Sequence, residues 1–184
     1  MISAMHRTPI RLLAYCLMPN HWHMILWPRK DGEMTEFLRW LTFTHSQRLH
    51  AHRHTIGNGH IYQGRFKSLP IEQDEFLLNI LRYVERNSSR AKLVEHTLDW
   101  RWCSLWRRIN GDRESLLSSW PVETPTDWID WVNGPQTSAE LEALRKSVNR
   151  GAPYGSEDWR TRIANVLHLE FTLHPCGRPR KEMR

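Results

Sequence analysis

Cysteine is scarce in this 184-residue chain: Cys16, Cys103 and Cys176 form an odd count with no CxxC spacing. That excludes a disulfide framework and a cysteine zinc site, and it reads as a reducing compartment. Long apolar runs are missing too, and the first residues lack the charged, then apolar, then small order of a signal peptide. A cytoplasmic protein with no membrane partner is expected. Acid is absent from one long stretch: between Arg39 and Lys67 there is no Asp or Glu. The same stretch holds Arg39, Arg48, Arg53, Arg65 and Lys67, with His45, His50, His52, His54 and His60. The net charge of +6 and a pI near 9.6 favour a polyanionic partner, nucleic acid first.

The apolar runs that are present are short. Residues 11 to 18 stop at Pro19-Asn20, a turn signal, and a second run follows from His21 to Trp27, which predicts a hairpin. In its second strand His21, His23, Ile25 and Trp27 share one face, and Trp22, Met24 and Leu26 the other, core-facing one. Helical spacing of Met34, Phe37, Leu38, Leu41 and Leu49 predicts a helix from about Thr35 to Arg53, with Gly57 and Gly59 in its exit loop. Residues 65 to 72 alternate like a strand, which Pro70 confines to an edge. Gln73-Asp74-Glu75 then opens a helix with the stripe Phe76, Leu77, Ile80, Leu81 and Val84, running to about Asn87, and Arg90 to Val94 reads as a further helical turn. The order gives an α+β fold: an antiparallel sheet with helices on one face. Tryptophans and prolines crowd the chain beyond Trp100, and helices are expected over Thr137–Arg150, capped by Ser138, and Ser156–Leu169. That pair could be a helix-turn-helix or a mere packing unit. The expected division is a domain over 1–108, a mostly helical appendage over 109–176 and a basic tail over 177–184.

Two histidines at i and i+2 of a strand project together, so His21 and His23 can meet one divalent cation. A third group is needed. On the helix after the proposed edge strand, Tyr83 and Asn87 lie one turn apart. A phenol beside an amide oxygen suits metal-assisted phosphodiester transfer, with the tyrosine as nucleophile and the amide helping to hold the cation. Taken singly, each of these residues also has an ordinary structural reading. A metal-dependent hydrolase, with zinc on the histidines and water attacking, stays open on the residues alone. In the acid-free stretch, Arg48, Arg53, Arg65 and Lys67 are candidate DNA contacts, with aromatics interleaved for stacking; a solvated basic helix face is the other reading. The terminal Gly177-Arg-Pro-Arg adds Arg178 and Arg180, as in minor-groove hooks.

Tyr15-Cys-Leu-Met-Pro-Asn-His-Trp-His, then Gly64-Arg-Phe-Lys-Ser, then Leu81-Arg-Tyr-Val-Glu-Arg-Asn with Arg90-Ala and Leu93-Val, resembles the REP-associated tyrosine transposases. These are single-tyrosine HUH transposases with a transposase IS200-like domain. The resemblance runs from about Ile10 to Arg108. It implies a ferredoxin-like sheet, a histidine pair at His21 and His23, a nucleophile at Tyr83 and a third metal contact at Asn87. It further implies Mg²⁺ or Mn²⁺, and hairpin-flanked single-stranded DNA that is nicked and rejoined through a 5′-phosphotyrosine. Some relatives pair their sheets, so a homodimer is a possible assembly.

The chain departs from that pattern in three places. Members usually have a further strand and a longer helix before the segment matching Arg11; its absence implies a first strand missing from the sheet and an edge covered by the tail or by another chain. Ser88 stands where proline is common, and Lys92 at a frequent glycine. A truncated or domesticated DNA-binding protein of the same ancestry, one that does not cut, is the rival expectation. If the tail contributes, deleting Gly177 to Arg184 will weaken DNA binding and flatten its salt dependence, as read by titrations at several salt concentrations.

Overall fold

The computed structural model describes residues 1–57 and 59–174. Element order is α1 (Ile2–Arg7), β1 (Arg11–Leu17), β2 (Trp22–Trp27), α2 (Glu33–Arg53), α3 (Glu75–Glu85), α4 (Asn87–Arg90), α5 (Ser104–Asn110), α6 (Trp128–Asn133), α7 (Ser138–Arg150) and α8 (Glu157–Val166). The fold is α+β around a two-stranded antiparallel sheet. Two compact units divide the chain: residues 1–65 with 78–135, and residues 66–77 with 136–184. Among the described residues, no helix is long and apolar enough to cross a membrane.

In the first unit, the Met18 amide bonds the His21 carbonyl at 2.9 Å and closes the expected turn. The register runs from Arg11 opposite Trp27 to Cys16 opposite His23, with an irregularity between Leu12 and Ala14. Trp22, Met24 and Leu26 pack on Ala4, Ile10, Phe37 and Leu38, so the expected core face of β2 is the one that meets α1 and α2. Residues 12 to 16 are all buried, as the unbroken apolar run requires of a strand covered on both faces.

The outer edge of β1 is not left open. Leu12 accepts from the Ser118 amide at 2.8 Å. Leu13 accepts from Trp120 Nε1 at 2.9 Å and from Arg108 Nη2 at 2.7 Å. The Tyr15 amide donates to Ser104 Oγ at 3.1 Å. Leu17 donates to the Trp102 carbonyl at 2.9 Å and accepts from Trp100 Nε1 at 2.9 Å. The tryptophan-rich stretch therefore does much of what a neighbouring strand would do: it supplies five outward backbone groups of β1 with partners.

Two side chains of α3, and Arg86 just after it, tie this segment to Ser104 and to α6. Glu85 is fully buried and accepts from Ser104 Oγ at 2.6 Å and Trp128 Nε1 at 2.8 Å. Burial pushes its carboxyl above the usual carboxylate range, while the two donors oppose that shift. Arg82 Nε donates to the Trp131 carbonyl at 2.8 Å, and its Nη2 to the carbonyls of Gly134 and Pro135 at 3.0 and 2.9 Å. Arg86 reaches Val132 at 2.9 Å and Asn133. Two cations thus cap the open carbonyls at the end of α6, where the helix dipole favours positive charge.

Several expectations need correction. Residues 65–72 form no strand; in the second unit Ile71 makes a single bridge to Tyr154, flanked by bonds from Tyr154 N to Pro70 O at 2.9 Å and from Glu72 N to Tyr154 O at 3.0 Å. Pro70 has no amide hydrogen to extend the ladder. Arg90 to Val94 is not a helical turn: α4 ends at Arg90, and Lys92 takes φ 58°. That left-handed conformation costs a residue with a Cβ about 1 kcal/mol, which is why glycine suits the position. The cap of α7 is Thr137, which shares a reciprocal box with Glu140, and Ser138 is the first helical residue. Ser156 precedes α8 but directs its amide and hydroxyl to Glu72, at 2.6 and 3.2 Å.

Glu85→Ala removes a carboxyl that satisfies two buried donors. Urea unfolding should show a loss of about 3 kcal/mol, and a smaller loss for Glu85→Gln, which keeps one acceptor.

Candidate active site

His23 sits half-buried in β2, and His21 lies exposed one residue before that strand begins. Their rings stand perpendicular, with centroids 5.1 Å apart. The turn holds His21 from behind, through Nδ1 at 2.7 Å from Asn20 Oδ1. From α3, Tyr83 brings its ring edge-on to His23, with centroids 5.7 Å apart. Asn87, at the start of α4, is fully buried, and its Nδ2 has no partner. The hairpin and α3 thus bring His21, His23 and Tyr83 together, although some sixty positions separate the histidines from the tyrosine in sequence.

A fifth residue joins them. Arg90 Nη2 donates to Asn87 Oδ1 and lies 3.4 Å from Tyr83 Oη, with its guanidinium carbon 5.0 Å from the Tyr83 ring centroid. In the sequence Arg90 stands in an expected helical turn and in the resemblance, with no chemical role attached. Its signal was the spacing Asn87-x-x-Arg90, which puts both side chains on one helical face.

Burial, and then the Arg90 charge, lower the proton affinity of His21. His23 is pushed down to about 4 by burial first, then by His21 and Arg90. Both imidazoles are therefore neutral near pH 7 and can offer nitrogen lone pairs to a cation. This donor set fits a divalent ion at two positions. Asn87 Oδ1 accepts from the Arg90 guanidinium, whose charge competes with a cation for the same oxygen, and no cluster of three or more His, Cys, Asp or Glu occurs among the described residues.

The candidate DNA contacts fall in different places. Arg48 and Arg53 are exposed on α2 and, with His21, Trp22, Trp40 and Tyr62, line a cleft of about 430 Å³. Tyr62 is anchored there by His45, Oη to Nδ1 at 2.8 Å. Arg65 and Lys67 are exposed in the irregular stretch where a strand was expected; Arg65 belongs to the first unit and Lys67 to the second. Arg178 and Arg180 lie outside the described residues.

A model of the family described as transposase IS200-like matches residues 1–87. The match covers a little under half of the 184-residue chain, and over those residues the chain is similar to that family. The matched segment takes in the hairpin, α2 and α3 and ends at Asn87, so it contains both histidines and the tyrosine but neither Arg90 nor the tryptophan-rich cover of β1. No curated protein and no solved structure matches the chain at a significant level.

In an NMR titration of the histidine ring protons, His23 should stay neutral down to about pH 4, well below its ordinary value of 6.5. The sign follows: what its burial adds to stability is complete above 6.5 and is lost as pH falls toward about 4. A midpoint near 6.5 in the folded protein would contradict the packed geometry.

Proposed function

We propose that this chain is a REP-associated type of single-tyrosine HUH transposase, a cytoplasmic enzyme that nicks and rejoins single-stranded DNA near hairpins in transposition or repeat mobilisation. The observation that supports the reading is the edge-on approach of Tyr83 to His23, sixty residues away in sequence, with Arg90 linking Tyr83 to Asn87.

In this reading Tyr83 Oη attacks phosphorus, the 3′ oxygen leaves, and a 5′-phosphotyrosine forms. The freed 3′-OH, or another, attacks in the reverse sense and restores the strand. Bond energy is conserved, so no nucleotide is consumed. His21 and His23 would hold Mg²⁺ or Mn²⁺, with Asn87 as third contact. A cation bound there supplies charge neutralisation and Lewis-acid polarisation of the phosphate. Arg48 and Arg53 flank the cleft beside His21 and suit phosphates on the incoming strand. Arg65, Lys67, Arg178 and Arg180 are proposed as further backbone contacts, and a homodimer as a possible assembly.

The test is a labelled hairpin-containing single strand incubated with the protein and Mn²⁺. A denaturation-resistant protein–DNA adduct should form and be absent from Tyr83→Phe. Cleavage that survives Tyr83→Phe would sink the tyrosine mechanism in favour of hydrolysis, and binding without an adduct would favour the domesticated, non-cutting protein.

A further inference from the structure

Arg90 presents an unbalanced charge. It is half-buried, its Nε is buried without a partner, and its described bonds go to the neutral oxygens of Asn87 and Tyr83. No carboxylate meets it among the described residues: both ion pairs found there belong to Arg107, and Glu85 faces Ser104 and Trp128. A withdrawn guanidinium ordinarily has an anion beside it, because the desolvation penalty is otherwise uncompensated. Its planar fork matches two oxygens of a phosphate. Because Nη2 is beside Tyr83 Oη, an anion held by that fork would sit against the proposed nucleophile.

The same group also engages the amide oxygen that a cation would need. With Asn87 Oδ1 bonded to Arg90, and Asn87 Nδ2 unable to serve as a ligand, the histidine pair lacks its third protein donor. We infer that Arg90 is the residue that takes the reacting phosphodiester of the DNA, and that in the free protein it holds the Asn87 oxygen in reserve until that phosphate draws the guanidinium away. This rests on the reading of His21, His23 and Asn87 as cation donors. DNA and metal then favour each other's binding, since the anion that engages Arg90 frees the donor that completes the cation site.

The experiment uses the full chain and Mn²⁺ alone, followed by electron paramagnetic resonance without DNA. Arg90→Ala should bind Mn²⁺ about tenfold more tightly than the unaltered protein, within the usual range of such couplings. Adding Asn87→Ala to that variant should remove the gain. In chelator, Arg90→Ala should bind a hairpin-containing single strand more weakly and with a salt slope smaller by about one. A side chain that merely stapled α4 would give no tighter Mn²⁺ binding when removed. If Arg90→Ala fails to fold, Arg90→Lys, which keeps the charge without the fork, should shift both readings in the same directions by less. Mn²⁺ affinity no higher in the folded Arg90 variants overturns this inference. Mn²⁺ binding that survives His23→Ala overturns the cation site itself, so the two failures are distinct.

Discussion

A strand whose outer backbone groups have no partner cannot stay buried, and β1 is buried along most of its length. Everything else in the first unit answers that constraint. Amides, carbonyls, a serine hydroxyl, an arginine and two indole nitrogens from residues 100 to 120 occupy the edge one group at a time. The chemistry of this cover explains the crowding of tryptophan: an indole buries a large apolar surface while its single N–H reaches a carbonyl. A regular strand would provide the same bonds with less bulk, but the irregular cover leaves the Cys16–Cys103 bridge as its one strand-like element.

From this edge the rest of the site is positioned in steps. Ser104 Oγ accepts from the Tyr15 amide and donates a hydrogen bond to Glu85, so the strand and α3 share one buried network. Glu85 is two residues from Tyr83, and the arginines beside it are spent on the end of α6. Along residues 82 to 90 the roles alternate with the helical period: Arg82, Glu85 and Arg86 anchor, while Tyr83 meets His23 and Arg90 joins Tyr83 to Asn87. A short motif can in this way carry both the scaffold and the reacting groups, and substitutions in it will have effects that stability alone does not explain.

Local signals were readable where they act locally. Pro19-Asn20 placed the hairpin, the spacing of Phe37, Leu38 and Leu41 placed α2, and i, i+2 and i, i+4 spacings picked out the histidines, Tyr83 and Asn87. What escaped depends on partners far along the chain. The stretch over 65–72 alternates like a strand but lacks the neighbour that would make it one, and the cover of β1 has no periodicity at all because side-chain donors do much of the pairing. Arg90 was hidden for another reason: its meaning lies in the missing counter-charge, which only the assembled surroundings reveal. Thr137 and Ser138 differ by one place, and only the reciprocal bond to Glu140 decides between them.

The two cysteines at the covered edge face each other as bridge partners, and both are buried with free thiols. Burial pushes Cys16 up to about 12 and Cys103 up to about 11, so near neutrality each is protonated as well as shielded. Neither can react with an alkylating reagent until the tryptophan-rich cover lifts from the strand. Their labelling rate is therefore a native clock for that opening, one that counts how often the edge is bared while the remainder of the molecule stays folded.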